Sequence, residues 1–266
     1  MRGSRQRHPV HKLNWMVRTP RSTLEAMKGG LGQFCPVAMA SEIFAERWTP
    51  LILRELLAGS HRFNEIHRHI PRISRALLAR RLRQLEMAGI VSSSPGDKGQ
   101  PGEYQLTEAG REFRAAVDAL GTWGQRWTIR VKPQNLDAGV LMSNVRRRIA
   151  LDRLPAHRVV VHFKFTVPAR HRGPRQFWLV LERAAVDLCL IDPGFAIDID
   201  VDADLAAMAE VWLGDAAFYE AVRAKKIELT GRPALTRQFS SWLLLSQFAA
   251  VPRPAPNEPA AEARHS

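Results

Sequence analysis

Side chains that can read DNA bases are concentrated between Ser74 and Gly89. The candidate contact residues of this segment are Ser74, Arg75, Ala76, Arg80, Arg81, Arg83 and Gln84. Arginine pairs with guanine and glutamine with adenine at the base edges in the major groove, and a small alanine lets a helix approach closely. The serine and first arginine stand at the helix N-terminus, where phosphates bind. The segment therefore predicts a recognition helix.

The rest of the same segment explains how the arginines would be positioned. Leu78, Leu82 and Leu85 recur at spacings of four and three, so they form the buried side of an amphipathic helix. Ser74 is the expected N-cap, and Gly89 ends the helix. The alternative interpretation is an ordinary amphipathic helix whose arginines are only solvated.

A short hairpin is predicted directly after this helix. Ile90–Ser93 and Glu103–Leu106 are strand candidates, and the loop between them is rich in glycine and proline and contains Lys98. Such a loop suits a wing along the phosphate backbone. Its alternative is a plain surface turn. Helices followed by a hairpin in this order predict a winged helix-turn-helix.

Other helices flank this motif. Cys35-Pro36 begins one helix, Thr49-Pro50 begins another with Thr49 as N-cap, and a third covers about Phe63–Ile70. After the hairpin, Thr107 caps a longer helix. Its apolar stripe consists of Phe113, Val117, Leu120, Gly124 and Trp127. The stripe is either core or the seam of a homodimer, and two-fold dimers suit palindromic operators.

These motifs together resemble the HxlR-type winged-helix regulators of bacteria, over about residues 33–127. The matching strings are Cys35-Pro36-Val37, Glu46-Arg47-Trp48-Thr49-Pro50-Leu51-Ile52-Leu53-Arg54-Glu55-Leu56, Arg62-Phe63-Asn64-Glu65-Ile66, Leu77-Leu78 through Leu85-Glu86, and Tyr104-Gln105-Leu106-Thr107-Glu108-Ala109-Gly110. The resemblance implies a transcription regulator that binds double-stranded DNA as a homodimer. In some relatives a cysteine at the position of Cys35 senses electrophiles or oxidants. The alternative is a buried, inert cysteine, because no cation beside it in the sequence would lower its pKa.

A second block mixes strands and helices. Val159–Val167 alternates as a half-buried strand does. The further predicted elements are strands at Gln176–Glu182, Val186–Ile191, Phe195–Val201 and Lys226–Thr230, and helices at Leu205–Trp212, Ala216–Ala224 and Ala234–Phe248.

This α+β block, residues 138–249, is similar to the sterol-carrier-protein fold. The similarity rests on Trp178-Leu179-Val180-Leu181, Ile197-Asp198-Ile199-Asp200-Val201, Gly214, Leu229-Thr230-Gly231 and the closing apolar helix. It implies an apolar tunnel for a hydrophobic small molecule. The candidate lining residues are Phe195, Trp212, Phe218, Phe239 and Trp242. The alternative is a closed core in a domain that only assists dimerisation.

Acidic residues between these strands do not predict a metal site. Asp198, Asp200 and Asp202 have the spacing that begins an EF-hand, but Ala203 and Ala209 replace its glycine and final glutamate. We interpret the acids, with Asp204, as the solvent face of a strand that runs into a helix. No metal or cofactor is expected.

Composition places these domains in a basic chain of 266 residues with a net charge of +13. Residues 131–175 carry 10 basic and 2 acidic side chains, whereas residues 176–250 carry 6 and 11. Basic regions attract polyanions, although arginine-rich composition also reflects GC-rich genomes. We expect an α+β chain with a disordered arm (1–30), a winged-helix domain (31–130), a sterol-carrier-like domain (138–249) and a disordered tail (250–266).

The sequence favours a regulator over other classes. There is no apolar run of membrane-spanning length, and two cysteines cannot form a disulfide framework, so a cytoplasmic protein is expected, without a membrane partner. No phosphate loop or nucleophile elbow indicates an enzyme. The alternative function is a carrier of lipid or another hydrophobic ligand with an accessory basic module.

Overall fold

The computed structural model describes residues 31–96, 102–128, 136–167, 169 and 172–254. The first domain contains, in chain order, α1 (Pro36–Phe44), α2 (Thr49–Leu57), α3 (Phe63–His69), α4 (Arg75–Met87), β1 (Val91–Ser94), β2 (Glu103–Leu106) and α5 (Glu108–Trp127). The predicted arm of residues 1–30 lies outside the described residues.

Local signals set the helix ends of this domain. The hydroxyl of Ser74 accepts a hydrogen bond from the backbone N–H of Leu77, so the predicted cap of α4 is confirmed. Gly59 and Gly89 follow α2 and α4 with φ of +89° and +70°, in the left-handed region that glycine enters without strain. The prediction of Thr49 as N-cap was wrong. Thr49 is already helical and buried, and the preceding Trp48 takes the positive φ.

A compact apolar core lies beneath α4. Leu78, Leu82 and Leu85 are buried as predicted, together with side chains of α2 and α3. The wing pairs Val91 with Leu106 in antiparallel register. β2 also contacts the chain ahead of α3, where the N–H of Tyr104 donates to the carbonyl of His61 at 2.7 Å. The wing is therefore fixed beside the helix-turn-helix.

The second domain contains α6 (Ala138–Arg147), a 3-10 turn (Leu151–Arg153), β3 (Val159–Thr166), β4 (Gln176–Leu181), β5 (Val186–Cys189), β6 (Ile199–Asp204), α7 (Leu205–Leu213), α8 (Phe218–Arg223), β7 (Ile227–Gly231) and α9 (Pro233–Trp242). The sheet order is β5-β4-β3-β6-β7, with β3 and β6 parallel and the other neighbours antiparallel. Alternate residues of the central strands share one core with the helices. The domain is therefore α+β, as predicted.

Three elements of this domain differ clearly from the prediction. Helix α6 was not predicted; Asp137 caps it by accepting from the N–H of Val140. Strand β6 begins at Ile199 rather than Phe195, because the chain must first cross from edge strand β5, past β4 and β3. Helix α9 ends at Trp242 rather than Phe248, because the next residues pair with residues 148–149.

The C-terminal segment returns to the first domain. Gln247 donates to Asp118 of α5 at 3.1 Å, and the ring of Phe248 packs on Gly121 of the same helix. Arg253 forms an ion pair with Asp215, 2.6 Å between Nε and Oδ1. Within the segment from residue 250 for which disorder is expected, Val251 and Arg253 thus make contacts with the rest of the chain. The remaining tail lies outside the described residues.

None of the helices in the described ranges is long and apolar enough to cross a membrane.

Candidate nucleic-acid interface

Helix α4 presents three of the predicted contact residues on one exposed face. Ala76, Arg80 and Arg83 follow at spacings of four and three, and all three are exposed. The side chains of Arg80 and Arg83 form no hydrogen bond or ion pair with another described residue. The leucines on the opposite side are buried, so the arginines are held outward on a fixed scaffold.

Two more predicted residues lie at the start of α4. Ser74 is committed to capping the helix, although it remains exposed. Arg75 donates to the amide oxygen of Asn64 at 2.8 Å and lies over the ring of Phe63, 5.1 Å from its centroid. These contacts to α3 hold a cation at the helix N-terminus, where both charge and free N–H groups attract phosphate.

Arg81 departs from its predicted role. It is only 9% exposed, and its guanidinium pairs with Glu46 and donates to the amide oxygen of Gln84 at 2.8 Å. Arg81 therefore fastens α4 to the turn after α1 and is not free to contact DNA. Gln84 is half-buried and shares this bond. Glu46 lies 35 residues before Arg81 in the chain. Helical periodicity could not reveal this contact, and it placed Arg81 only at the flank of the exposed face.

The tip of the wing is not covered by the structure, and Lys98 lies outside the described residues. The strand below the tip is described, and Ser92, Ser93 and Ser94 are exposed there. Sequence reasoning missed Asn64, which orients Arg75, and Arg72, an exposed arginine two residues before the cap of α4. The position of Arg72 in the turn ahead of the recognition helix was a signal that could have identified it.

The apolar stripe of α5 divides into two parts. Val117 is buried, and Phe113 stacks on Phe44 of α1 with ring centroids 5.5 Å apart, so both belong to the domain's own core. Leu120 and Trp127 are 47% and 56% exposed, and nothing packs near Gly124. Other large apolar side chains that are exposed in or beside α1 and α5 are those of Leu31, Phe34, Val37, Met39 and Trp123.

Cys35 is exposed, which corrects the expectation of a buried cysteine. It immediately precedes α1, and hydrogen bonds from the backbone N–H groups of Ala38 and Val37 lower the pKa of its thiol. The N-terminus of the helix lowers this pKa, and no neighbouring cation is involved. The lack of a cation beside Cys35 in the sequence therefore did not indicate a normal pKa.

The predicted ligand-pocket residues are not all brought together. Phe239 contacts both Phe218 and Trp242, with ring centroids 5.9 Å apart in each pair, and Phe239 and Trp242 are fully buried in the core. Phe195 lies instead on the surface under Arg158. Trp212 is half-buried and lines a cleft between the two domains.

The acidic residues in and just before β6 have separate structural roles. Asp198 is buried, accepts from the N–H of Val160 at 2.9 Å and pairs with Arg232, so the prediction that it faces solvent was wrong. Asp204 caps α7. The buried position of Asp198 follows from the crossing segment ahead of β6, which sequence alternation did not reveal.

Asp200 takes part in a cross-strand polar cluster. It contacts Nδ1 of His162 at 2.9 Å and Nζ of Lys164 at 3.0 Å. Burial raises the pKa of Asp200, but hydrogen bonds from Lys164 and His162 outweigh burial and lower it. Among the described residues, no group of three or more His, Cys, Asp or Glu side chains has the arrangement of a metal site.

Comparisons with known proteins cover the first domain. Residues 43–132 match the family described as HxlR-like helix-turn-helix. An HTH-type transcriptional regulator of Methanothermobacter thermautotrophicus is 37% identical over 35% of this chain and 72% of its own length. The regulator YvaP of Bacillus subtilis is 33% identical over 40% of this chain and 96% of its own. The regulator Rv3095 of Mycobacterium tuberculosis is 41% identical over 34% of this chain, which spans 58% of that relative.

A solved MarR-family structure from Porphyromonas gingivalis is 29% identical, with a TM-score of 0.35, over 36% of this chain and 95% of its own. The family match and the two relatives that are mostly spanned agree on the same segment of the chain. The chain therefore belongs to the HxlR-like helix-turn-helix family of transcriptional regulators, with the DNA-binding motif in residues 43–132.

Proposed function

We propose that this chain regulates transcription by inserting α4 into the major groove of operator DNA as a homodimer. The observation that carries the proposal is the outward row of Ala76, Arg80 and Arg83 on a capped helix whose other face is buried. Arg80 and Arg83 are the base readers. Arg75 and the wing, with Lys98, contact the flanking phosphates, and Gln84 contributes only if its bond with Arg81 opens.

The proposed dimer forms through the exposed apolar residues of α5 and the chain around α1. Large apolar side chains of α5 are exposed to solvent at Leu120, Trp123 and Trp127, and Phe34, just before α1, is 97% exposed. Large apolar side chains exposed at spacings of three and four along one helix are typical of an interface. Operators for such a dimer would be two half-sites about one helical turn apart.

We also propose that the second domain senses a hydrophobic effector, as the sterol-carrier resemblance implies. Support comes from its mixed sheet covered by helices. The aromatic cluster around Phe239 is closed in this structure, so a ligand would enter there only if the cluster opens. The alternative function, a ligand carrier with an accessory basic module, gives no reason for free arginines in a row on α4.

The test is fluorescence anisotropy of the full chain with its own upstream DNA, and with scrambled DNA as control, at several salt concentrations. We expect tighter binding to the upstream fragment, weakening with salt by a slope of roughly −0.9 per phosphate contacted. The Arg80→Ala/Arg83→Ala variant should lose the preference for the upstream fragment. The charge-matched control is Arg223→Ala/Arg237→Ala, which changes two exposed arginines of the second domain.

Equal loss of the preference for the upstream fragment in both double variants would mean that net charge alone causes the effect. That result would contradict the proposed docking. Equal, weak binding of both DNA fragments by the unmodified chain would favour the carrier function or an operator elsewhere.

A further inference from the structure

A cleft of about 740 Å³ lies between the two domains. The first domain contributes residues of α2, the turn after α3, and α5, and the second contributes α6, α7 and the segment around Phe248. Its volume is within the range of roughly 300–1,000 Å³ that is usual for small-molecule sites. The cleft is not the tunnel within the second domain that the sterol-carrier resemblance implies, because of the five predicted pocket residues only Trp212 lines it.

The described walls of the cleft combine apolar surface with an excess of positive charge. Trp48, Val140 and Trp212 contribute apolar surface. Five arginines line the cleft against three acidic residues, Glu55, Asp118 and Asp137. Each of these acids already has a partner: Glu55 has two arginines and a histidine, Asp118 has the amide of Gln247, and Asp137 has the N–H of Val140 at the start of α6.

Two of the arginines have no carboxylate partner among the described residues. Arg114 donates to the carbonyl of Leu57 at 3.3 Å, and Arg148 donates to the carbonyls of Leu244 and Leu245. A guanidinium bound only to carbonyls keeps its full charge and further N–H donors. Charge-assisted bonds to an incoming anion are therefore available from two arginines that line the cleft.

The cleft also reaches the DNA-binding motif. His69, Ile70, Pro71 and Arg72 line it, and they form the end of α3 and the turn that leads to the cap of α4. His69 is bonded in turn to Glu55, which Arg147 of the second domain also binds. A molecule in this cleft would therefore touch both the second domain and the turn that orients the recognition helix.

We propose that the cleft between the domains binds a small organic anion with an apolar body, of the aromatic or aliphatic carboxylate class. Its carboxylate pairs with Arg114 and Arg148, and its apolar part lies against Trp48, Trp212 and Val140. Because the ligand contacts both domains, it selects one arrangement of the turn before α4 and changes DNA affinity. This last consequence rests on the proposed function; the binding itself does not.

The experiment is isothermal titration calorimetry of the full chain, without DNA, using 1-naphthoate as the probe and neutral 1-naphthalenemethanol as its uncharged counterpart. We expect naphthoate to bind more tightly than the alcohol. Arg114→Gln should weaken naphthoate binding about tenfold, the equivalent of one charge-assisted bond. The matched control is Arg111→Gln on the same helix, which also donates to one backbone carbonyl but does not line the cleft. Val140→Trp, which fills the cleft, should abolish binding.

Absence of naphthoate binding, equal binding of the alcohol, or equal weakening by Arg111→Gln and Arg114→Gln would overturn the site. Arg114 is exposed, so this comparison survives if Val140→Trp fails to fold. Adding naphthoate to the anisotropy assay should shift the DNA Kd of the unmodified chain, and Arg114→Gln should need about ten times more naphthoate for the same shift. Naphthoate binding without that shift would overturn the regulatory consequence, whereas absence of specific DNA binding before any naphthoate is added would be a failure of the proposed function.

Discussion

Arg147 donates from Nη1 to Oε2 of Glu55 at 2.8 Å, and this ion pair joins the second domain to the winged helix across 92 positions of the chain. The Glu55 side chain is fully buried and also contacts Arg54 and His69. A buried carboxylate is tolerated only when its charge is matched and its lone pairs are satisfied. The pair therefore makes the folding of the two domains interdependent.

Removal of the Arg147 guanidinium from this ion pair should destabilise the folded protein. We expect Arg147→Met to lower the free energy of unfolding by about 3 kcal/mol or more, because it leaves a buried carboxylate short of a partner. Urea unfolding followed by circular dichroism measures this change. The control is Arg158→Met, which breaks an ion pair whose two side chains are 47% and 42% exposed and should cost no more than about 1 kcal/mol. Equal losses in the two variants would contradict the structural importance of Glu55.

Stability should also depend on pH through Glu55. Burial acts to raise the pKa of this carboxyl, but hydrogen bonds from His69 and Arg147 and the charge of Arg54 outweigh burial and hold the pKa far below its ordinary value of 4.5. A carboxyl with a lowered pKa in the folded state binds protons more readily when unfolded. Its contribution to stability is therefore complete above pH 4.5 and declines as the pH falls below that value.

Urea unfolding at several pH values between 7 and 3.5 measures this dependence. The loss of stability on acidification should be smaller in Glu55→Gln than in the unmodified chain, because the glutamine does not titrate. Identical pH profiles for the two proteins would show that Glu55 does not carry the effect.

The two cysteines should differ in reactivity. Cys35 is exposed, and the helix N-terminus lowers its thiol pKa, whereas Cys189 is half-buried in β5. We therefore expect iodoacetamide to alkylate Cys35 first at pH 7, with peptide mass spectrometry locating the label. Faster modification of Cys189 would argue against the redox-sensing role that the family resemblance implies for Cys35. Cys35→Ser is the control, because the faster of the two alkylation reactions should be absent from this variant if it occurs at Cys35.

Two glycines of α5 should respond oppositely to the same substitution. A Cβ at Gly121 would lie 2.1 Å from the ring of Phe248, so Gly121→Ala should displace the C-terminal segment and destabilise the fold. Gly124 has open space around it, so Gly124→Ala should stabilise the helix by about 0.5–1 kcal/mol. Thermal unfolding compares the two variants. A stabilised Gly121→Ala would mean that Phe248 does not pack there in solution.

The proposed dimer should depend on the exposed rings of α5. Trp123→Glu places a charge in the apolar surface and should shift the mass measured by light scattering from dimer to monomer. The matched control is Tyr219→Glu, an aromatic residue of the second domain that is 67% exposed. A monomeric unmodified chain, or a Trp123→Glu variant that remains dimeric, would count against this interface.

Local patterns in the sequence were sufficient for the recognition helix of the winged-helix domain. The Ser74 cap, the left-handed glycines and the leucine spacing of α4 act within a few residues, so they predicted both the helix and its outward arginines. The same logic predicted the central strand Val159–Thr166, where alternation is uninterrupted.

Only the tertiary structure decided which charged groups are free and which are buried. Arg81 is bound by Glu46, Glu55 by Arg147, and Asp198 by Arg232, and each partner lies more than 30 positions away along the chain. Helical and strand periodicity assigns a residue to one face of its element. Whether a charged side chain on that face is exposed or buried in an ion pair depends on which other elements the fold packs against it. For the same reason, the cleft between the domains has no signature in either half of the sequence.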